Sequence, residues 1–298
     1  MKYHQSVLLN ESVDALGIEA GGVYVDVTFG GGGHSKEILK RNDGCFLYAF
    51  DQDEDALENE LEDERFTLIH ENFSELENML KLYRVEVVDG LLADLGVSSH
   101  QFDQESRGFS IRFDGPLDMR MGKGVQKTAA DILLEYSWEE LAEVFRNYSD
   151  IKGAGRVARK IKEAVDLNGL KTTGELVDVL KKMTPVKKEN KFLAQVFQAL
   201  RIEVNDEMKA LKALLEQTVK VLRPGGKLVV ISYHSIEDRL VKNFMRTGGF
   251  TGEESKDFYG NSLSPLKVLT RKPIVPNEKE IEVNNRARSA KLRIAEKR

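Results

Sequence analysis

The chain has 298 residues, and its 44 basic against 49 acidic side chains give a formal net charge of −5. That balance argues against a uniformly basic nucleic-acid coat, while a hydrophobic content of 41% supports a packed core. A single cysteine, Cys45, excludes a disulfide framework and a cysteine-based zinc site. No apolar run approaches the roughly 18 residues of a membrane span, and no signal-peptide core follows Met1. We therefore expect a soluble, cytoplasmic protein with no membrane partner.

Charge is distributed unevenly along the chain. Residues 51–64 contain nine acids and no base, residues 152–191 carry eleven bases against five acids, and residues 286–298 hold six bases and one acid. Any one of these runs is typical of a solvated helix face. Two separate basic segments in an acidic protein nevertheless favour a localised contact with a polyanion.

Short apolar, β-branched runs alternate with longer helical patterns, which indicates a parallel α/β sheet. Five strands are predicted, at residues 23–27, 45–50, 66–69, 90–95 and 227–232. A helix through Ile38 and Leu39 follows the first strand. The segment 223–226, Arg-Pro-Gly-Gly, is a helix-stop and turn signal before the fifth.

An inserted domain is expected between the fourth and fifth strands. Asp94 and Lys227 are 133 residues apart. This segment is roughly 100 residues longer than a single crossover connection in a parallel sheet requires. Apolar residues three and four apart predict four helices there, at 138–148, 155–165, 173–183 and 192–202. The predicted domains are a core of residues 1–109 and 205–298, and a helical insert of residues 110–204.

A glycine-rich turn follows the first predicted strand. Gly30 to Gly33 come after Thr28 and Phe29, and Asp51 ends the second strand 18 residues after Gly33, near the roughly 20 residues typical of nucleotide-binding sheets. Glycines let the backbone approach a ligand, the helix N-terminus offers unpaired N–H groups, and the acid accepts hydrogen bonds from ribose hydroxyls. The pattern indicates a nucleotide-type site, with a purely structural tight loop as the alternative.

Three cofactor classes compete for this site. The dinucleotide fingerprint lacks its third glycine, because Ser35 and Lys36 stand where it would fall. A P-loop lacks the lysine that follows its glycines. The remaining interpretation is S-adenosylmethionine, with its adenosine at Asp51 and its methionine part along the glycine turn.

Six long motifs follow the glycine turn. They are DLGVSS at 94–99, RGFS at 107–110, PLDMRM at 116–121, VFQALRI at 196–202, ISYHSIEDR at 231–239 and NRARSA at 285–290. Together with DVTFGGGGHS at 26–35, they closely resemble, in the same order, the MraW (RsmH) family of 16S ribosomal RNA cytosine-N4 methyltransferases. The resemblance runs from about Val7 to Glu296, nearly the whole chain.

The resemblance implies a class I S-adenosylmethionine-dependent methyltransferase fold, a Rossmann-like sheet with an inserted α-helical domain that helps to recognise the substrate. It implies methylation of the N4 amino group of a cytosine in the decoding centre, the P-site region, of 16S rRNA in the small ribosomal subunit. Carried over by motif, the cofactor contacts are Gly32, Gly33, His34, Asp51, Phe73, Asp94 and Gln101. We expect Phe73 on the adenine face, Asp51 at the ribose hydroxyls and Asp94 beside the methionyl end.

Several positions depart from the family pattern. His100 stands where a proline usually precedes Gln101, Tyr233 replaces a phenylalanine, and Asn284-Asn285 replaces Asn-Pro. Residues 148–150 and 192–195 also differ. Most of these changes lie in the insert, whereas the cofactor motifs are intact.

The target nitrogen of cytosine is a poor nucleophile, because its lone pair is delocalised into the ring. Asp94 is the first candidate to accept its proton, with the backbone carbonyls of residues 95–98 as a rival. His234 is a second candidate that hydrogen-bonds the base, unless it only ties its loop. Tyr233 and Phe109 are candidates for stacking on an unstacked cytosine, with core packing as the alternative.

Charged motif residues are assigned by type. Arg286, Arg288, Lys291 and Arg293 are expected to lie in or beside a last strand and are predicted to bind RNA phosphates. Internal ion pairs are predicted for the acids and bases of segments 118–120 and 237–239. No metal is predicted, since His4, His70 and His100 lack ligand spacing. A homodimer is possible on sequence grounds.

Two other functions compete with methyl transfer. An NAD-dependent oxidoreductase would use the same kind of sheet, although the missing third glycine argues against it. A non-catalytic RNA-binding or ribosome-assembly protein would use the basic insert without chemistry. Binding of S-adenosylhomocysteine rather than NAD separates the first from a methyltransferase.

Overall fold

The computed structural model describes residues 6–122, 124–184, 186–254, 256–260 and 262–298. The chain forms two compact units. One comprises Met1–Gly96 and Met208–Arg298, and the other comprises Val97–Glu207.

The first unit contains a seven-stranded mixed sheet. Its strands are β1 (Val23–Asp26), β2 (Phe46–Asp51), β3 (Phe66–His70), β4 (Val88–Asp94), β5 (Leu222–Ser232), β6 (Leu266–Val268) and β7 (Lys291–Lys297). Their order in the sheet is β3-β2-β1-β4-β5-β7-β6. The first five pair in parallel, and β7 pairs antiparallel with both β5 and β6. The five predicted strands are β1 to β5.

Thirteen α-helices occur in the part of the chain that the structure describes. They are α1 (Leu9–Leu16), α2 (Gly33–Arg41), α3 (Glu54–Leu57), α4 (Leu76–Leu82), α5 (Ser99–Asp103), α6 (Ala129–Glu135), α7 (Trp138–Tyr148), α8 (Ala154–Asn168), α9 (Thr173–Lys181), α10 (Glu189–Val204), α11 (Glu207–Val221), α12 (Ser235–Thr247) and α13 (Glu278–Val283). Short 3₁₀ helices occupy Phe73–Glu75, Glu105–Arg107, Val186–Lys188 and Asn285–Ser289. None of these described helices combines the length and apolar character needed to cross a bilayer.

Both faces of the parallel strands are buried, which explains their continuous apolar sequences. Successive residues point to opposite faces, so Leu91 joins an apolar cluster with α4, α11 and α12, while Leu92 joins one with α1 and α2. Val230 and Val229 divide in the same way. The strands thus hold a layer of helices on each side, and their carboxyl ends remain as the edge where loops gather.

Strand β5 begins earlier than the sequence predicts. Leu222 pairs with Val88, whereas the next paired residues are Lys227 and Gly90, so the segment 223–226 is an irregularity opposite a single residue. Gly225 has a φ of 82°, a conformation that glycine adopts without strain. The predicted turn signal is therefore a bulge within the strand rather than a boundary before it.

The second unit is a helical domain with its own apolar core, contributed mainly by α6 to α10. Capping boxes begin α6, α7 and α9, in which Thr128, Ser137 and Thr172 exchange hydrogen bonds with the acid three residues later. The unit extends beyond the predicted limits of 110 and 204. Phe109 is buried in its core, and Val97 and Phe102 pack against that core, which explains the earlier start.

Candidate active site at the carboxyl ends of the strands

The predicted site residues of the first unit follow neighbouring parallel strands. The glycine turn comes after β1, Asp51 ends β2, Phe73 follows β3, Asp94 ends β4, and Tyr233 follows β5. Carboxyl ends of parallel strands share one edge, and the strand order reverses between β1 and β4. Ligands of open α/β sheets bind in the crevice at such a switch point.

The glycine turn has a geometry that side chains would disrupt. Gly30 and Gly32 have φ values of 50° and 72°, and a Cβ on Gly32 would lie 2.9 Å from the ring of Phe29. Gly32 is also the N-cap of α2, where it supplies no side-chain hydrogen bond. The first N–H groups of α2 therefore remain available to a ligand in the loop.

Asp51 is held by backbone on both carboxylate oxygens. Oδ2 accepts a 2.8 Å hydrogen bond from the N–H of Gly30, and Oδ1 accepts one of 2.9 Å from the N–H of Asp53. Burial raises the pKa of Asp51 to about 6, although these two hydrogen bonds oppose the rise. Each carboxylate oxygen has a second acceptor position, so the group fits ribose hydroxyls.

A buried hydrogen-bond network joins β1 to β4. Asp26 is fully buried, and its carboxylate accepts hydrogen bonds from the hydroxyl of Ser35 at 2.7 Å and the N–H of Thr28 at 3.1 Å. The hydroxyl of Thr28 in turn accepts the N–H of Asp94 at 2.7 Å. Asp26 and Thr28 belong to the motif at 26–35, but the sequence pattern did not predict this role for them. Their network fixes the backbone of Asp94 against the glycine turn.

Asp94 meets two side chains from other parts of the sheet. The hydroxyl of Tyr233 donates a hydrogen bond to Oδ1 at 2.7 Å, and Nδ1 of His34 lies 3.8 Å from Oδ2. Burial raises the pKa of Asp94 to about 6, while His34 and Tyr233 act to lower it. The Asp94 side chain is still 22% exposed, so the carboxylate is not sealed from solvent.

His34 is oriented by the backbone. Its Nε2 lies 3.2 Å from the carbonyl oxygen of Val7, and a carbonyl only accepts, so Nε2 carries the hydrogen. Nδ1 is then the ring atom that faces Asp94.

His234 begins α12 as its N-cap. Its Nδ1 accepts the N–H of Glu237 at 3.3 Å, and the Glu237 carboxylate accepts the N–H groups of Tyr233 and His234. Nε2 of His234 lies 2.9 Å from Oε1 of the same carboxylate. The His234 ring therefore ties its loop to α12. A hydrogen bond from His234 to the target base stays a prediction.

Phe73 and Gln101 are placed by local structure. Phe73 begins a 3₁₀ helix after β3 and is half-buried. Gln101 belongs to the inserted unit, where its side chain and that of Ser98 form the capping box of α5. Phe109, a stacking candidate, is 4% exposed in the core of that unit.

The C-terminal basic residues divide into two groups. Arg286 and Arg288 lie in the 3₁₀ helix Asn285–Ser289, where Arg286 is half-buried and Arg288 is exposed. Lys291 and Arg293 lie in β7, and both contact the carboxylate of Asp238, at 3.2 Å and 2.6 Å. The predicted phosphate contact is therefore wrong for buried Arg293, because an internal acid already neutralises it.

The predicted internal ion pairs are confirmed for Asp118, Arg120 and Asp238, while an ion pair of Arg239 stays a prediction. Asp118 accepts two hydrogen bonds from the guanidinium of Arg120, at 2.7 and 2.8 Å, and Asp238 pairs with β7. Within the described ranges, histidine, cysteine and acidic side chains form no group of three suited to a metal.

The sheet order, with β7 inserted antiparallel beside β5, is the arrangement typical of class I S-adenosylmethionine-dependent methyltransferases. The glycine turn and the spare acceptor positions of Asp51 suit the cofactor of that class, so the fold and the site define a methyltransferase that uses S-adenosylmethionine. More specifically, the chain belongs to the MraW methylase family, whose model matches residues 1–298. This membership excludes the NAD-dependent oxidoreductase considered as an alternative.

Two curated relatives share more than half of their residues with this chain. Ribosomal RNA small subunit methyltransferase H of Flavobacterium johnsoniae is 57% identical over 298 residues, which cover 100% of this chain and 98% of the relative. The protein of the same name from Parabacteroides distasonis is 56% identical over 298 residues, which cover 99% of this chain and 97% of the relative.

Solved structures show weaker likeness. An rRNA methylase from Streptococcus thermophilus is 12% identical with a TM-score of 0.44, covering 98% of this chain and 97% of its own. SMU.1697c of Streptococcus mutans, in complex with SAH, is 13% identical with a TM-score of 0.45, covering 98% and 99%. Likeness at these scores adds nothing to the argument from strand order.

Proposed function

We propose that this protein transfers a methyl group from S-adenosylmethionine to the N4 amino group of a cytosine in the decoding centre of 16S rRNA, within the P-site region of the small ribosomal subunit. The relatives' name, ribosomal RNA small subunit methyltransferase H, supports the choice of RNA. The observation that carries the chemistry is the carboxylate of Asp94, held by Tyr233 at the end of β4.

The cofactor is assigned to the edge where β1, β2, β3 and β4 end. Asp51 accepts the ribose hydroxyls, Phe73 packs on the adenine, and the turn Gly32-Gly33 with His34 runs along the methionine part. Asp94 lies beside the methionyl end in this assignment, and Gln101 is a further cofactor contact that the family resemblance implies. The bound cofactor supplies an electrophilic methyl group on a positively charged sulfur.

Asp94 has two tasks in the proposed reaction. First, it accepts a hydrogen bond from the amino group, which favours a pyramidal nitrogen whose lone pair points away from the ring and towards the methyl carbon at about 3 Å. Second, N4 must lose one proton as the N–C bond forms and the C–S bond breaks, and Asp94 receives that proton. A carboxyl with a pKa of about 6 is mostly ionised at neutral pH and is basic enough for this role.

Substrate RNA must present the cytosine outside its stack. Unstacking costs a few kcal/mol, which aromatic and phosphate contacts offset. The ring of Tyr233 is the proposed aromatic contact, and Arg286 and Arg288 are the proposed phosphate contacts. His234, beside Tyr233, is the proposed hydrogen-bond partner of the base.

The direct test is product analysis. Wild-type protein is incubated with labelled S-adenosylmethionine and either unmodified small subunits or naked 16S rRNA, and the digested nucleosides are analysed by mass. The proposal predicts N4-methylcytidine at one position in at least one of the two substrates. Absence of this nucleoside from both, while S-adenosylhomocysteine still binds, would leave a non-catalytic RNA-binding protein as the better account.

A further inference from the structure

The inserted unit contains a pocket of about 550 Å³ between the beginning of α8 and the segment that leads from α9 into α10. Four cationic side chains line it: Lys152, Arg156, Lys188 and Lys191. All four are exposed to solvent. The acidic residue in the lining is Asp150, so the pocket carries an excess of three positive charges.

These four cations form no ion pair within the described part of the chain, unlike other bases of the same unit. Lys160 pairs with Glu163 at 3.0 Å, Lys127 with Glu135 at 2.5 Å, and Arg201 with Glu207 at 2.7 Å. Unpaired like charges gathered around one cavity repel one another, and an anion in the cavity relieves that repulsion.

The floor of the pocket is apolar. Val157 is 2% exposed, and Met183 and Phe192 are half-buried against the core of the unit. An inorganic anion gains nothing from contact with apolar side chains, whereas a nucleotide has a charged phosphate and a base that packs against them.

Helix α8 adds to the positive field. Its N-cap is Gly153, which offers no side-chain oxygen, and its first turn contains no acid. The positive end of the helix dipole therefore reinforces the cations of the rim.

We propose that this pocket binds a backbone phosphate of the substrate RNA, with the adjoining nucleoside against the apolar floor. The inference rests on the proposed function and adds the place at which the inserted unit holds RNA. It also explains how a chain of net charge −5 binds a polyanion, since the attraction is confined to a small surface.

The test compares two double variants of the full-length protein. Arg156→Gln with Lys191→Gln removes two charges from the pocket. Lys127→Gln with Lys160→Gln removes two charges from exposed, acid-paired positions of the same unit. Binding of labelled single-stranded 16S rRNA fragments and of unmodified small subunits is measured over a range of salt concentrations, and binding of S-adenosylhomocysteine checks that each variant is folded.

We expect the pocket variant to bind RNA at least tenfold more weakly at about 0.1 M salt. Its salt slope should be smaller by about 0.7 for each RNA phosphate that the variant no longer neutralises. The control variant should stay within about twofold of wild type. Inorganic phosphate at matched ionic strength should not displace the RNA. Equal affinity and slope in the two variants, or displacement by phosphate alone, would overturn the assignment of the pocket to RNA.

The outcomes separate this inference from the proposed function. Loss of RNA binding in the pocket variant supports the pocket even if wild type forms no N4-methylcytidine. Normal methyl transfer by both variants, with equal salt slopes for RNA binding, contradicts the assignment of the pocket to RNA but agrees with the proposed reaction. If the wild-type protein binds neither the rRNA fragments nor the small subunits, the assignment of the pocket to RNA is contradicted as well.

Discussion

The hydroxyl of Tyr233 donates a 2.7 Å hydrogen bond to Oδ1 of Asp94, across 139 residues of sequence. The bond joins the ends of β4 and β5, two neighbouring strands. Burial and the nearby carboxylate raise the pKa of Tyr233 well above its ordinary value, so the phenol keeps its proton and remains a donor. The resemblance implies a phenylalanine at this position of the family motif, and in this chain the hydroxyl of Tyr233 supplies the contact to the proposed proton acceptor.

Replacement of Tyr233 by phenylalanine should make Asp94 harder to ionise. The hydrogen bond that this change removes stabilises the carboxylate, and a bond to a charged group is worth about 1.5–3 kcal/mol, or about one to two pKa units. The acid side of the pH–rate profile for methyl transfer should therefore move to higher pH by about one unit, while RNA affinity is retained because the ring remains. An acid limb that does not move would show that Tyr233 does not act through Asp94.

Substitution of Gly32 by alanine should disturb the cofactor turn. A side chain at a φ of 72° is strained, and its Cβ would press on Phe29, which together cost about 1–3 kcal/mol. Gly31 supplies the control, because a Cβ there meets nothing within 4 Å. Calorimetry with S-adenosylhomocysteine and urea unfolding should show weaker binding and lower stability for Gly32→Ala. Equal stability of Gly32→Ala and Gly31→Ala would contradict the strained turn.

Stability of the cofactor-free protein should depend on the ionisation of Asp51. Its pKa is about 6 in the folded state against 3.8 for the ordinary group, so between these values the folded protein binds more protons than the unfolded chain. The contribution of Asp51 to the free energy of unfolding is therefore present below about pH 4 and is lost as pH rises through about 6. Relative to Asp51→Asn, the wild-type free energy of unfolding should fall by on the order of 2 kcal/mol between pH 4 and 7. A pH-independent difference between the two proteins in urea titrations would refute the raised pKa.

Neutralising Arg286 and Arg288 with glutamine should weaken RNA binding and flatten its salt dependence. Arg271→Gln with Lys272→Gln is the matched control, because both residues are exposed on the same unit. Cofactor affinity should be unchanged in both variants. If the two variants have the same salt slope as wild type, Arg286 and Arg288 are not part of the RNA surface.

Local pattern predicted the elements of the sheet well. The five strands, the glycine turn and Asp51 follow from apolar runs and from glycine and acid at fixed spacing, which depend on neighbours in sequence. A last strand at the C-terminal basic residues was also predicted and corresponds to β7. Strand β6 was not predicted, because it is only three residues long and pattern alone does not reveal its partner.

Contacts between distant side chains could not be predicted. The sequence shows that the chain contains Asp94, Tyr233 and His34, but the hydrogen bond of Tyr233 depends on the register of β5 beside β4. The basic run at 286–298 likewise did not show that Asp238 neutralises Arg293. Charge along the chain therefore overstated the C-terminal surface available to RNA, whereas the four cations of the insert pocket form no ion pair with any residue that the structure describes.

The central claim is that Asp94 accepts the proton of the methylated nitrogen, and single-turnover methyl transfer by Asp94→Asn tests it most directly. Asparagine keeps the shape of the side chain but not its basicity, so S-adenosylhomocysteine and RNA should bind within a few fold of wild type. The rate of N4-methylcytidine formation should fall about 10²–10⁴-fold and should no longer rise with pH through about 6. A variant that binds both ligands and transfers the methyl group at the wild-type rate would contradict the account.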